Sequence, residues 1–191
     1  MNTDTNATHL SIMIQTTHLT LRAITPADCA PLYAIQRDPV AMQYTYTATT
    51  LVEFTEHLAA YMALASSYGY APWTISERAT GQICGWGGLT VDPFAPGWGV
   101  EILYFLAPSV WGRGYATELT NAALAYGFTQ FDLPAIGAFA HPENRASNRV
   151  LEKCGLQLLR YEPRLGRNFY EITQAQWQRL ALEATPRLPH A

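Results

Sequence analysis

Apolar positions along the chain change period several times, and each change marks an element. His18-Leu19-Thr20-Leu21-Arg22-Ala23 alternates every second residue and predicts a first strand, with a short partner over Ser11 to Ile14. Thr25-Pro26-Ala27-Asp28 then opens a helix: Thr as cap, Pro at the first helical position, an acid near the positive end of the dipole. Asp38-Pro39 stops it. A capping box, Thr50-Leu51-Val52-Glu53, opens a second helix with Leu51, Phe54, Leu58, Tyr61, Met62 and Ala65 on one face. The period returns to two at Trp73 to Ser76 and at Gln82 to Val91, a hairpin about the turn Arg78-Ala79-Thr80-Gly81. Gly85, Gly87 and Gly88 in its second arm read as a bulge or close packing rather than a ligand site.

Beyond the loop Asp92 to Gly97, Val100 to Leu106 predicts a strand with Glu101, Leu103 and Phe105 on one face and Ile102, Tyr104 and Leu106 on the other. A helix over Thr117 to Phe131, a strand over Ala135 to Ala140, a helix over Asn144 to Lys153 capped by Gly155, and a closing hairpin over Leu156–Tyr161 and Asn168–Thr173 complete the pattern. This is a mixed α/β (α+β) domain over residues 18–182, between tails at 1–17 and 183–191.

Composition narrows the classes. With 191 residues and 49% hydrophobic content, one core is expected. A net charge of −3 with 12 Lys plus Arg argues against nucleic acid as a partner. Cys29, Cys84 and Cys154 form no C-x-x-C pair, which suits a reducing compartment and no metal. No basic leader or long apolar run suggests secretion or a membrane, so a cytoplasmic protein is expected.

The chemistry centres on Val110-Trp111-Gly112-Arg113-Gly114-Tyr115-Ala116-Thr117, a turn between a strand and a helix N-terminus. Glycines at 112 and 114 let the amides point outward, where the helix dipole favours an anion, so the turn reads as a diphosphate cradle. No Gly-Lys-Ser or Gly-Lys-Thr occurs, which sets aside a Walker-type NTPase. The dinucleotide fingerprint fails at Thr117, and only Asp132 offers a ribose-binding acid. The coenzyme A reading remains. Trp111 to Ala116 resembles the [RQ]-x-x-G-x-[GA] loop of the GNAT N-acetyltransferases, matching at Gly114 and Ala116, with tryptophan at the Arg/Gln position. Trp-Gly-Arg-Gly-Tyr-Ala-Thr-Glu is similar to the branch that acetylates ribosomal-protein N-termini. A second segment, His141 to Leu156, resembles that branch's N-x-x-S-x-x-[VL]-x-x-[KR]-x-G-[FL].

The resemblance spans about Leu19 to Leu180 and implies a mostly antiparallel sheet with a central splay, flanked by helices. It implies acetyl-CoA as co-substrate, held by Tyr104, Phe105, Leu106, the residues Trp111 to Thr117 (Gly112, Arg113, Gly114, Tyr115 and Ala116 between them), and Asn144, with Ser147 near the sulfur. Many members place a tyrosine seven residues after that asparagine as the acid for the thiolate; here Leu151 stands there, leaving Ser147 or a water. Acetyl transfer also needs a base for the ammonium, and Glu101, charged within an apolar strand, is the candidate, against a salt-bridging role for the same residue. His141 and Glu143 come second. Trp73, Trp86 and Tyr104 are candidates for the acceptor pocket, with a core role for the tryptophans as the alternative. The expected activity is direct transfer to a primary amine, either a protein N-terminus or a small molecule; a coenzyme-binding module without turnover is the alternative from another class. A homodimer is left open.

Overall fold

The computed structural model describes residues 13–184. Eight strands form one sheet: β1 (Met13–Gln15), β2 (Leu19–Ala23), β3 (Trp73–Glu77), β4 (Ile83–Val91), β5 (Val100–Leu106), β6 (Ala135–Ala140), β7 (Gln157–Glu162) and β8 (Arg167–Thr173), in the order β1-β2-β3-β4-β5-β6-β8-β7. Every pairing is antiparallel except β5 with β6, which is parallel and registers only Glu101 with Gly137. After that one pair the two central strands part, so the sheet opens into a splay bounded by the C-terminal halves of β5 and β6.

Among the described residues five α-helices cover the sheet: α1 (Cys29–Gln36), α2 (Leu51–Tyr68), α3 (Tyr115–Gln130), α4 (Arg145–Lys153) and α5 (Gln174–Ala184). Thr25 and Asp28 close the entry to α1, where the Asp28 carboxylate accepts from the Thr25 amide at 2.8 Å and from Arg22 at 2.6 and 2.7 Å. Thr50 caps α2 through the Glu53 amide, as the capping box predicts. α1 and α2 pack Leu32, Phe54, Leu58 and Tyr61 on one face of the sheet around Trp86. On the opposite face Leu119, Ala123, Leu124 and Phe128 of α3 join Leu151 of α4 and Cys154 just past its end in the larger core. The helix α5 extends the chain past β8, through the stretch in which the sequence pattern shows only an approaching tail.

The glycines of β4 pack as a close approach. A Cβ on Gly87 would lie 2.4 Å from the Leu103 carbonyl, and one on Gly88 would lie 2.7 Å from the Trp73 ring. A register shift at Ile75/Ser76 accompanies them. Bringing β4 this close to β5 fixes the strand that forms one wall of the splay.

Candidate active site

β5 is hydrogen-bonded to β4 through its odd-numbered residues. The Ala107 amide donates to Cys84 at 2.9 Å, and Gly87 lies opposite Tyr104. The alternation of an antiparallel ladder therefore turns the amides of Tyr104 and Leu106 the other way, towards β6. β6 has already parted from β5 there, so these amides face the splay. A cleft of about 720 Å³ fills it, running from the Trp111–Thr117 turn between β5 and α4 to the loop after α1.

At one end lies the glycine turn. Gly112 and Gly114 have φ of 75° and 82°, and a Cβ on either would meet nothing within 4 Å, so glycine is required there by backbone conformation rather than by space. The Glu118 amide donates to the Gly114 carbonyl at 3.0 Å as the first bond of α3. The amides of Tyr115, Ala116 and Thr117 thus have no helix carbonyl to serve them. Trp111 ties the turn to β5: its indole N–H donates to the Leu106 carbonyl at 2.9 Å.

Two side chains of the turn point elsewhere. Arg113, a coenzyme-binding candidate in the sequence, forms an ion pair with Glu77 at 2.5 Å, lies over the Tyr115 ring and is absent from the cleft lining. The ring of Tyr115 is buried and its hydroxyl donates to the same Glu77 at 2.6 Å. Glu77 closes β3 far back in the sequence, and pairing with it draws both side chains away from the free amides of the turn. Of the two, only Tyr115 lines the cleft, and its hydroxyl is turned away to Glu77.

α4 forms the second wall. Asn144 caps it, its Oδ1 accepting from the Ser147 amide at 3.0 Å. The Ser147 hydroxyl meets the Tyr104 hydroxyl at 2.8 Å, bridging α4 and β5 across the cleft. Burial pushes the Tyr104 phenol up to about 12, so it stays protonated at physiological pH. Leu151, seven residues after Asn144, is buried. Tyr170 is structural, since its hydroxyl donates to Asn148 at 2.7 Å and so braces α4 on β8. Arg145, Arg149 and Lys153 also line the cleft. Their i, i+4, i+8 spacing puts three cations on one stripe of α4, a signal present in the sequence but overlooked beside the glycine turn.

Glu101 sits at the base of the splay, in the last β5–β6 pair, and is 8% exposed. It is not among the residues that line the cleft. Burial, and then Asp92, raise its carboxyl to about 7, against a smaller opposing pull from Arg167. Of the second-rank candidates, His141 and Glu143 line the cleft, and the His141 ring stacks on Tyr44 at 5.3 Å.

Trp73 and Trp86, the sequence candidates for the acceptor pocket, do not line the cleft. Both are fully buried, Trp73 against Tyr126 under α3 and Trp86 among Phe54, Tyr61 and Phe105 under α2. A large ring on an inward strand position gains more from the core than from a wet cleft. Trp86 works one layer behind: its indole N–H donates to Gln36 at 3.1 Å, and Gln36 donates to the Tyr46 carbonyl at 2.8 Å. That chain holds the loop after α1, which lines the cleft with Ala41, Gln43, Tyr44 and Thr45. Tyr104 lines the cleft.

An open mixed sheet parted at its centre, with a two-glycine turn at a helix start at one end of the gap, is the architecture of an N-acetyltransferase. Residues 18–157 match the family model described as the acetyltransferase (GNAT) domain, and the chain belongs to that family. The Bacillus subtilis protein named uncharacterized N-acetyltransferase YoaA is 30% identical over 150 residues, 76% of this chain and 82% of its own. A crystal structure of an acetyltransferase from Agrobacterium tumefaciens superposes with a TM-score of 0.75 at 25% identity, covering 84% of this chain and 94% of its own. The spermidine N-acetyltransferase of Vibrio cholerae, solved with CoA and spermine, shares the fold at a TM-score of 0.65 and 20% identity, over 85% of this chain and 99% of its own. Among the described residues no cluster of His, Cys, Asp and Glu is placed to hold a metal, and no helix is long and apolar enough to cross a membrane.

Proposed function

We propose that the cleft binds acetyl-CoA and transfers its acetyl group directly to a primary amine. The observation that carries this reading is the convergence, in one gap, of the glycine turn, the amides of β5 freed by the splay, and the Tyr104–Ser147 hydroxyl pair. The diphosphate rests on the amides of Gly112 to Thr117, with Arg145, Arg149 and Lys153 beside it for phosphate charge. The pantetheine arm follows β5 into the splay, and the Tyr104 amide polarises the thioester carbonyl.

Glu101, with its carboxyl near neutrality, accepts the ammonium proton through water, since it stands behind the cleft wall rather than in it. The neutral amine attacks the carbonyl carbon, the tetrahedral intermediate collapses to the amide, and the C–S bond breaks to release the thiolate. The nitrogen loses a second proton as the intermediate collapses, and that proton ends on the sulfur, while the first, taken by Glu101 through water, returns to solvent. A phenol held at about 12 does not give up its own proton to a thiolate, so Tyr104 acts as a fixed donor that stabilises the leaving group. This fills the role left open by Leu151. The turn's likeness to the ribosomal-protein branch supports a protein N-terminus as acceptor, and the Vibrio cholerae relative supports a small amine.

Incubating the protein with acetyl-CoA and a panel of primary amines, with thiol release as the readout, tests the proposal. Amine-dependent release together with thermal protection by CoA but not NAD is expected. Protection without release for any amine would leave a binding module, and no protection would remove the coenzyme reading.

A further inference from the structure

The end of the cleft away from the glycine turn opens on the α1/α2 face of the sheet. Its wall there is Tyr44, Thr45, His141 and Arg167. Arg167 begins β8, and the alternation of that strand puts it on the same face as Phe169, opposite Asn168 and Tyr170, whose side chains bond to Asn148 of α4. Its guanidinium donates to the Tyr44 carbonyl at 3.2 Å, the one hydrogen bond it makes among the described residues. No carboxylate of the described residues comes within ion-pair distance of it, whereas Arg22, Arg113 and Arg160 each have an acid at 2.6, 2.5 and 3.7 Å. A partly buried guanidinium with most of its five donors unspent is costly unless something else neutralises it. Glu101, from β5, projects on this same face and is coupled to Arg167 electrostatically without touching it.

We infer that Arg167 is an acceptor-recognition residue, and that the amine acetylated by this protein carries a carboxylate, which the Arg167 guanidinium takes while the nitrogen faces the thioester. The inference rests on the acetyl-transfer reading of the cleft and adds the acceptor's chemical class to it. A planar guanidinium held at one edge by the Tyr44 carbonyl still offers a fork to a carboxylate. The mouth then has the two charges of an amino-acid-like zwitterion in mirror image, a cation for its carboxylate and Glu101 behind the wall for its ammonium. The same cation repels the second ammonium of a polyamine, so a polycationic acceptor is disfavoured at this end.

Matched pairs of primary amines that differ only in carboxylate against carboxamide give the test, with spermidine as polycation, acetyl-CoA as donor and thiol release as readout. The carboxamide's amine is the more readily deprotonated, so intrinsic reactivity works against the expected result. The best acceptor should be an acid with kcat/KM at least about tenfold above its carboxamide. Assayed at a pH well above 7, where Glu101 is ionised with or without Arg167 beside it, Arg167→Gln should bring the two within about threefold by raising KM for the acid alone, Arg167→Lys should keep part of the preference, and the Kd for CoA should not change in either variant. Equal rates within pairs, spermidine as best acceptor, or an Arg167→Gln loss shared by acid and carboxamide would overturn the inference, the last by reducing Arg167 to a brace for the Tyr44 loop. Acceptor binding to the protein–CoA complex, followed by NMR line broadening, makes the same comparison without turnover: binding of acids and not carboxamides supports it, and binding of neither sinks it. Failure of CoA itself to bind would instead remove the acetyl-transfer reading beneath it.

Discussion

The hydroxyls of Tyr104 and Ser147 meet at 2.8 Å across the cleft, one from the strand that borders the splay and one from the first turn of the helix facing it. Tyr104 is the only one of the two that lies on the wall whose amides face the gap, and its phenol is held protonated by burial. Removing that hydroxyl separates stabilisation of the leaving thiolate from everything else the cleft does. A hydrogen bond to a charged group contributes about 1.5–3 kcal/mol, so Tyr104→Phe should lower kcat by roughly 10- to 100-fold. Coenzyme affinity, measured by calorimetry, should stay within about threefold, because the phosphates are held elsewhere. Ser147→Ala should cost less, since it leaves the phenol in place and removes only its neighbour.

The glycine turn allows conformation and charge to be separated. Gly114 sits at φ 82° with open space where a Cβ would stand, so Gly114→Ala is expected to weaken CoA binding through backbone strain of about 1–2 kcal/mol, and Gly114→Val through more. Arg113→Ala should leave CoA affinity nearly unchanged. Its ion pair with Glu77 is partly exposed and adds little to stability, to be read as a small shift in the denaturant midpoint.

Much of this site is visible in the sequence because its signals are local. Two glycines before a helix, an asparagine that caps α4 and an alternating β5 are all set by residues within a few positions of one another, and the structure has β5 and β6 over the spans that the alternation marks. Long-range pairings carry no such mark. Arg113 reads as free until Glu77 is placed beside it, and Arg167 lies 123 residues from the Tyr44 carbonyl it binds. A tryptophan at an inward strand position looks the same whether it meets α2 or a ligand, which is why Trp86 needs the fold to assign it. α5 does not stand out in the sequence because the apolar side that packs Trp177 on the main core is too weak a stripe before the tail.

Trp86 should behave as core. Trp86→Ala is expected to destabilise by about 3–5 kcal/mol in chemical denaturation. Trp86→Phe keeps most of the volume but loses the bond to Gln36, so it should fold and yet loosen the loop that carries Tyr44. Its signature would be a higher KM for the amine at unchanged CoA affinity.

The pH profile follows from Glu101. Its carboxyl is raised to about 7, so it is largely protonated and useless as a base below that pH and ionised above it. The rate kcat/KM for the amine should therefore rise as pH passes through about 7, and Glu101→Gln should lower turnover and flatten the rise. Asp92 pushes the carboxyl up and Arg167 pulls it down. Asp92→Asn should move the midpoint to lower pH and Arg167→Gln to higher pH, opposite shifts that a base elsewhere in the cleft would not show.

Direct transfer, with no acetylated enzyme, is the last expectation, and it follows from where the thiols lie. Cys29, Cys84 and Cys154 are all buried, and no two are bonded to each other. A cysteine that carries an acyl group must reach the thioester as a thiolate. None of the three lines the cleft. Burial raises the Cys84 and Cys154 thiols to about 11, and each points at a backbone carbonyl, Ile75 at 3.5 Å and Thr117 at 3.7 Å, which favours the neutral S–H. Cys29 packs with Leu32 and Phe54 on the far side of the sheet from α3 and α4. Replacing all three with alanine or serine should therefore preserve turnover to within a few-fold wherever the variant folds, although some stability will be lost from the core. Mass spectrometry of the protein quenched with acetyl-CoA but without amine should find the chain unmodified at these positions. An acetyl-cysteine adduct that disappears when amine is added, at a rate matching turnover, would establish a two-step route and overturn the geometry argued for the cleft.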